Sequence, residues 1–349
     1  MNLYRLTRDL IDIPSVTGEE ESVSLFLSQF LLSKGYKCDL QEVSQGRSNL
    51  VATLSQSPRV ALSTHLDTVP PHVGSSEDEV FIYGRGACDA KGIIAAQVTA
   101  CERLRAEGVE DVGLLFTVDE EEGSAGARVA NTHPLGTHCD YLVNGEPTDN
   151  KLATGSQGSL RLVVRTTGSA AHSAYPEQGE SAIENLLDVL TDIRKCEWPA
   201  DHFFGEATCC IGTISGGTRA NVIPAEAHAS LHIRLATDSA LVKDALEDSV
   251  RGRAQLEYLS VSEPVRMLCL EGFEQTIVRF TTDIPHLRNW GEPLLLGPGS
   301  ILDAHTAHER VAKRELAEAV DLYARLVHAL LARQRKVDIN VAQRKECEL

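Results

Sequence analysis

No stretch of this chain approaches the roughly 18 uncharged apolar residues of a membrane-spanning helix. The segment Met1–Asp12 lacks the basic start and long apolar run of a secretory signal. Neither a membrane span nor export is expected, and the cytoplasm is the expected compartment. Positive charge is scarce: 33 Lys and Arg stand against 50 Asp and Glu, for a net charge of -17. Nucleic acids and anionic membranes need a basic footprint, so neither is expected as a partner. The cysteines number 9, are scattered and contain no CxxC pair, which argues against a disulfide framework and against a thiolate zinc site. They read as reduced thiols. Cys88 has no base paired with it in sequence and reads as a packing residue. Internal repeats and low-complexity tracts are also absent.

What is present is an ordinary globular composition, 42% hydrophobic and 24% charged, in a chain of 349 residues that is long enough for about two domains. Residues 2–12 are expected to form a helix that Pro14 ends, and Glu19 to Ser33 repeat the helical spacing. Asn49–Leu54, Val60–Thr64, Val112–Val118 and Tyr141–Val143 read as strands, the third being the near-continuous apolar run of a central strand. Lys91 to Glu107 is a small-residue-rich helix. Strands alternating with helices predict a three-layer α/β domain with a largely parallel sheet. From about residue 157 the order becomes β-α-β-β-α-β, a ferredoxin-like α+β unit. The first pattern resumes with a strand at Phe280 or earlier, Leu294–Leu296, and a final helix from about Glu309 to Arg333. The expected organisation is a catalytic domain at 1–156 and 266–335, a domain inserted at 157–265, and a disordered tail at 336–349.

Imidazoles and carboxylates recur where these strands end: His65 and Asp67, then Asp89, Glu120 and Glu121, Glu146 and His305. Ligands of open α/β sheets bind beyond the carboxyl ends of the strands. Two imidazoles and three or four carboxylates are what two first-row divalent cations need. Such a pair, roughly 3.5–4 Å apart, can clamp a water and an amide carbonyl. His65 and Asp67, two apart on extended chain, point to one side, so one can ligate while the other orients it. The pair could equally be a solvated turn. Asp89 could bridge two cations or cap the following helix. Among Asp119–Glu122 one acid could ligate while a neighbour moves a proton, or the run could be a solvated loop. His308 is the closest rival to His305.

In order, His65-Leu66-Asp67-Thr68-Val69-Pro70, Gly84-Arg85-Gly86 through Asp89-Ala90-Lys91-Gly92, Asp119-Glu120-Glu121-Glu122-Gly123, Gly145-Glu146-Pro147-Thr148 and the glycine-rich approach to His305 resemble the M20 family of dinuclear zinc peptidases and deacylases. The Gly-Glu-Pro-Thr form looks most like its acetylornithine deacetylase and succinyl-diaminopimelate desuccinylase branch. The resemblance implies one zinc on His65, Asp89 and Glu146 and a second on Asp89, Glu121 and His305, with cobalt or manganese as possible substitutes. It implies that Asp67 orients His65, that Glu120 is the general base, and that the Asp89–Ala90 peptide is cis. It further implies homodimerisation through the inserted domain, with His172 reaching the partner's site as an oxyanion donor. Asn221, Arg234 and Gly299 are expected to bind substrate. The expected reaction is deacylation of an N-acyl-amino acid, with a dipeptidase or aminopeptidase of the same family as the alternative. A catalytically silent ligand-binding paralogue would lack the base or a ligand, and all are present. The short segment between Pro71 and Tyr83, and His308-Glu309 where an acidic pair is common, depart from the family pattern.

Overall fold

The computed structural model describes residues 2–333, so the tail expected at 336–349 lies outside the described residues. The chain divides into two compact units. The first comprises residues up to Thr154, 267–276 and those from Thr282 on; the second comprises 155–266 and 277–281.

The first unit is built on a sheet with strand order Lys37–Ser44, Arg47–Thr53, Val112–Thr117, Val60–His65, Tyr141–Asn144, Glu292–Leu295 and Leu152–Ser156. Val112–Thr117, Val60–His65, Tyr141–Asn144 and Glu292–Leu295 run parallel. The flanks are antiparallel, so the sheet is mixed. The difference has a simple cause. The first strand, Lys37–Ser44, is not apparent in the sequence pattern, and it turns at Gly46 straight into Arg47–Thr53, a connection too short for a parallel crossover.

Every residue of Val60–His65 and of Val112–Thr117 is buried, because layers cover both faces. One layer contains the helices Leu3–Ile11, Glu21–Ser33, Lys91–Ala106 and Lys313–Leu331, whose apolar sides meet Leu50, Leu62, Leu114 and Val143. The opposite layer is thinner. There the helix Ala125–Ala130 and the short turns near Leu287 and Trp290 cover Val51, Ala61, Leu115 and Leu142. The final helix begins at Lys313, not Glu309: Arg310–Ala312 is a strand paired with Phe81–Tyr83, and Glu309 is drawn inward. The strand expected near Phe280 is Gln275–Val278. Among the described residues no helix is long and apolar enough to cross a membrane.

The second unit is a four-stranded antiparallel sheet, ordered Thr208–Gly216, Glu226–Leu235, Gly158–Thr167 and Gln255–Ser262. Helices Ala182–Arg194 and Ser239–Val250 cover one face, giving the β-α-β-β-α-β order. Burial alternates strictly along Glu226–Leu235, as a sheet covered on one face requires.

In the thin layer of the first unit, Trp290 is buried and its indole N–H donates to the Ala130 carbonyl at 2.9 Å. Trp290→Ala should lower unfolding free energy by about 3–5 kcal/mol, and Trp290→Phe by less. Urea unfolding followed by far-UV circular dichroism would measure both.

Candidate metal centre

His65 ends the strand Val60–His65, and its imidazole is buried. Nδ1 lies 2.9 Å from the Asp67 carbonyl, which fixes the ring proton on that nitrogen and leaves Nε2 as a lone-pair donor. Nε2 points at Asp89 Oδ1, 2.9 Å away. The other Asp89 oxygen lies 3.2 Å from His305 Nε2, which in turn lies 3.1 Å from Glu121 Oε1. Asp89 thus stands between two imidazoles with one oxygen for each. The Asp89–Ala90 peptide is cis. Helix Lys91–Ala106 receives no side-chain cap, so capping is not what Asp89 does.

The acidic run after Val112–Thr117 divides its side chains. Asp119 takes a left-handed backbone (φ 70°) and turns to Arg47, whose Nη2 donates to it at 2.8 Å. The same guanidinium donates to buried Glu20 at 2.6 and 2.8 Å. Glu120 and Glu121 turn inward, and Glu122 is exposed. Their position is set by Asp67, whose carboxylate accepts from the backbone N–H groups of Glu120 and Glu121, both at 3.1 Å, and from the Thr17 hydroxyl at 2.9 Å. Asp67 therefore holds the Glu120–Glu121 turn as well as facing His65.

Ligand atoms of His65, Glu120 and Glu146, and those of His65, Asp89 and Glu121, gather within 4.8 Å. Glu146 is buried, and its Oε1 has no hydrogen-bond partner. Burial, then the charge of Glu146, push the Glu120 carboxyl well above the usual range. Burial likewise raises Glu146, with Asp89 and Glu121 adding to it. Asp89 goes the other way: burial raises it, but hydrogen bonds from His305 and His65 outweigh that. His305 is pushed up to about 10 by its bonds to Asp89 and Glu121. The pocket holds more negative charge than its two imidazoles balance. Two divalent cations fit that deficit, the orphaned Glu146 oxygen and the donor set. Ligands about 2.0–2.1 Å from a tetrahedral ion stand roughly 3.3 Å apart, close to the imidazole–carboxylate separations here.

Three features of the centre went unrecognised in sequence. Glu309 is buried and paired with buried Arg85 at 2.5 Å. Its Oε1 accepts from the backbone N–H groups of Gly86, Cys88 and Asp89 at 2.9, 3.3 and 3.2 Å. One carboxylate therefore ties the loop carrying His305 to the loop carrying Asp89. Asp283, whose Oδ2 accepts from the Thr117 hydroxyl at 2.8 Å, is pushed up to about 6 by burial. Lys91 is buried, donates to the Ile13 carbonyl at 2.6 Å and is lowered to about 8 by burial. Arg85 and Lys91 belong to the family-like motifs and Glu309 to the His308-Glu309 departure from the family pattern; Asp283 has no local signal.

Cys88 is buried between these loops, and burial, then Glu309, push its thiol well above the usual range, so it packs and does not attack. Gly299 has φ 85°, and a Cβ there would meet the Cys88 Cβ at 2.5 Å; its packing role is thus explicit. His305 and His308 are both exposed, and it is His305 that meets Asp89 and Glu121. The remaining expected residues belong to the second unit. His172 bridges Val222 and accepts at Nδ1 from the Ala174 N–H, and the Ser173 N–H donates to the Asn221 carbonyl at 3.1 Å, so His172 and Asn221 are neighbours. Arg234 lies on Glu226–Leu235.

A cluster of imidazoles and carboxylates at the carboxyl ends of parallel strands defines a metal-dependent hydrolase centre. The comparisons give the family. Residues 61–329 match the model of peptidase family M20/M25/M40, and the chain belongs to that family as a peptidase-type hydrolase. A peptidase M20 domain-containing protein of Schizosaccharomyces pombe is 38% identical over 338 residues, covering 93% of this chain and 84% of its own. A probable carboxypeptidase of Aspergillus terreus is 36% identical, covering 93% of this chain and 85% of its own. A tripeptidase from Staphylococcus aureus has the same fold, with TM-score 0.80 at 20% identity over 95% of this chain and 98% of that one. A dinuclear metal-binding M20 peptidase of Bacillus subtilis matches at TM-score 0.68 and 15% identity, over 94% and 97% of the two chains.

Glu309→Gln keeps the size of the side chain but removes the charge facing Arg85. Metal affinity should fall about 10–100-fold with the fold retained. Metal content after dialysis against graded chelator, beside an unchanged circular dichroism spectrum, would check this.

Proposed function

We propose that the protein is a metal-dependent peptidase of short linear peptides, a dipeptidase or carboxypeptidase, with N-acyl-amino acids as the second substrate class. The observation that carries this is Asp89 set between His65 and His305 with Glu120, Glu121 and Glu146 gathered around it. The Aspergillus relatives bear carboxypeptidase names, which supports the peptidase alternative over the deacylase expected from Gly145-Glu146-Pro147-Thr148.

In this reading His65, Asp89 and Glu146 would hold one cation, and Asp89, Glu121 and His305 would hold the other. Zinc is the first choice, and cobalt and manganese suit the same donors. When bound, the cations supply Lewis acidity to the scissile carbonyl and acidify the attacking water. Glu120 accepts a proton from that water as the new C–O bond forms, then delivers it to the departing amine as the C–N bond breaks. Asp67 keeps the His65 tautomer and the Glu120 turn in place. His172, steadied beside Asn221, donates to the oxyanion from the partner subunit of a homodimer formed through the second unit. Arg234 forks onto the substrate's free carboxylate.

The test is release of free amine from dipeptides, tripeptides and N-acetyl- and N-succinyl-amino acids by metal-stripped protein, with and without added zinc or cobalt. Metal-dependent turnover of peptides supports the proposal. Turnover of acyl-amino acids alone moves the protein to the deacylase branch, and turnover without metal defeats both. Glu120→Ala should lose about 10²–10⁴-fold or more in kcat while retaining two metals per chain; wild-type kcat in that variant would refute the base assignment. His172→Ala should lose about 10²–10³-fold in kcat with little change in KM, measured in the same assay.

A further inference from the structure

On the second unit, the sheet face turned away from the two helices carries two cationic side chains, Arg161 and Arg234, with no counter-ion among the described residues. Strand register sets two adjacent rows across the sheet. One row is Thr208, Arg234, Ser159 and Ser262; the next is Cys210, His232, Arg161 and Ser260. Neither row contains an acid, in a chain with 50 Asp and Glu. Arg161 and His232 are directly opposed, and Arg234 is diagonal to Arg161, within reach of long side chains.

The contrast lies four residues along the same strand from Arg161. There Arg165 is paired with Glu257 at 2.9 Å. Among the described residues neither Arg161 nor Arg234 meets a carboxylate. Burial and Arg161 are what lower the Arg234 guanidinium, with no acid opposing them. His232 donates to or accepts from the Ser159 hydroxyl at 2.8 Å. Burial, then Arg234 and Arg161, lower it to about 4, so it stands neutral at pH 7 as a polar neighbour.

Arg161 is exposed and Arg234 half-buried, and the like charge that Arg161 sets beside Arg234 is relieved by an anion. One carboxylate satisfies one guanidinium fork. The second fork needs a second anionic group. We propose that Arg161, Arg234, Ser159 and His232 form a dicarboxylate-binding site that selects substrates ending in Asp or Glu. Arg234 takes one carboxylate and Arg161 the other. The assignment of Arg234 to the substrate's free carboxylate rests on the peptidase reading above; Arg161 and the two-carboxylate preference are new.

The test uses the full-length, metal-loaded protein. Steady-state kinetics compare Ala-Glu and Ala-Asp with Ala-Ala. The expected result is a KM roughly tenfold lower or more for the acidic peptides. Arg161→Ala should remove that advantage, raising KM for Ala-Glu while leaving kcat and the Ala-Ala KM within about twofold. Equal KM values in the wild type, or an Arg161→Ala loss shared equally by Ala-Ala, would overturn the proposal. Calorimetric titration with glutarate and butyrate reads the site without turnover, so it stands even when no peptide is cleaved. Glutarate binding that exceeds butyrate binding and disappears in Arg161→Ala supports the site. Absence of glutarate binding overturns it. Inorganic phosphate displacing glutarate at equal concentration would overturn the dicarboxylate assignment in favour of a general dianion site.

Discussion

Compensation of buried negative charge is the constraint on which the first unit depends. Asp67, Asp89, Glu120, Glu121, Glu146 and Asp283 lie at or beside one pocket, and two imidazoles are their nearest positive partners. Carboxylates so placed either take up protons or find cations and N–H donors. The surrounding chain is arranged to supply donors. Two backbone N–H groups face Asp67, three face Glu309 beside Arg85, and Arg47 spans Glu20 and Asp119. What these donors leave uncompensated is the inner group around Asp89, which is where cations belong.

The sheet explains why these groups meet. Parallel strands present their carboxyl ends on one edge, and each chain exit there delivers side chains to the same place. His65, the Glu120–Glu121 turn and Glu146 all leave from consecutive parallel strands. The antiparallel flanks widen the sheet without adding to that edge. Glycine at 299, where φ is positive and Cys88 is close, lets the His305 loop descend to complete the set.

Much of this was legible in the chain itself. The apolar run Val112–Val118 announces a strand covered on both faces, and the alternation in Glu226–Leu235 announces one covered on a single face. His65, Glu120–Glu121 and Glu146 each come close after an apolar run, and that order marks the edge where they gather. The hairpin strand Lys37–Ser44 was missed because its residues are mostly exposed or half-buried and carry no apolar signal. Glu309 was absorbed into the final helix because Glu suits a first turn and nothing local reveals the Arg85 guanidinium more than 200 residues away. Asp283 and the Arg47–Asp119 pair were missed for the same reason: their meaning lies in partners distant along the chain. The unpaired state of Arg161 and Arg234 could only be seen once strand register had set them side by side.

The clamp between Glu309 and the backbone of residues 86–89 has a temporal consequence. Asp89 and Glu309 stand 220 positions apart, and the whole second unit is synthesised between them. A ribosome that has finished the ferredoxin-like unit has not yet made His305 or the carboxylate that steadies Asp89. Most of the second unit, residues 155–266, is one continuous stretch, while the hydrolytic centre waits for the segment carrying His305 and Glu309 to return to the first segment. The centre therefore cannot be complete before the segment carrying His305 and Glu309 has been made.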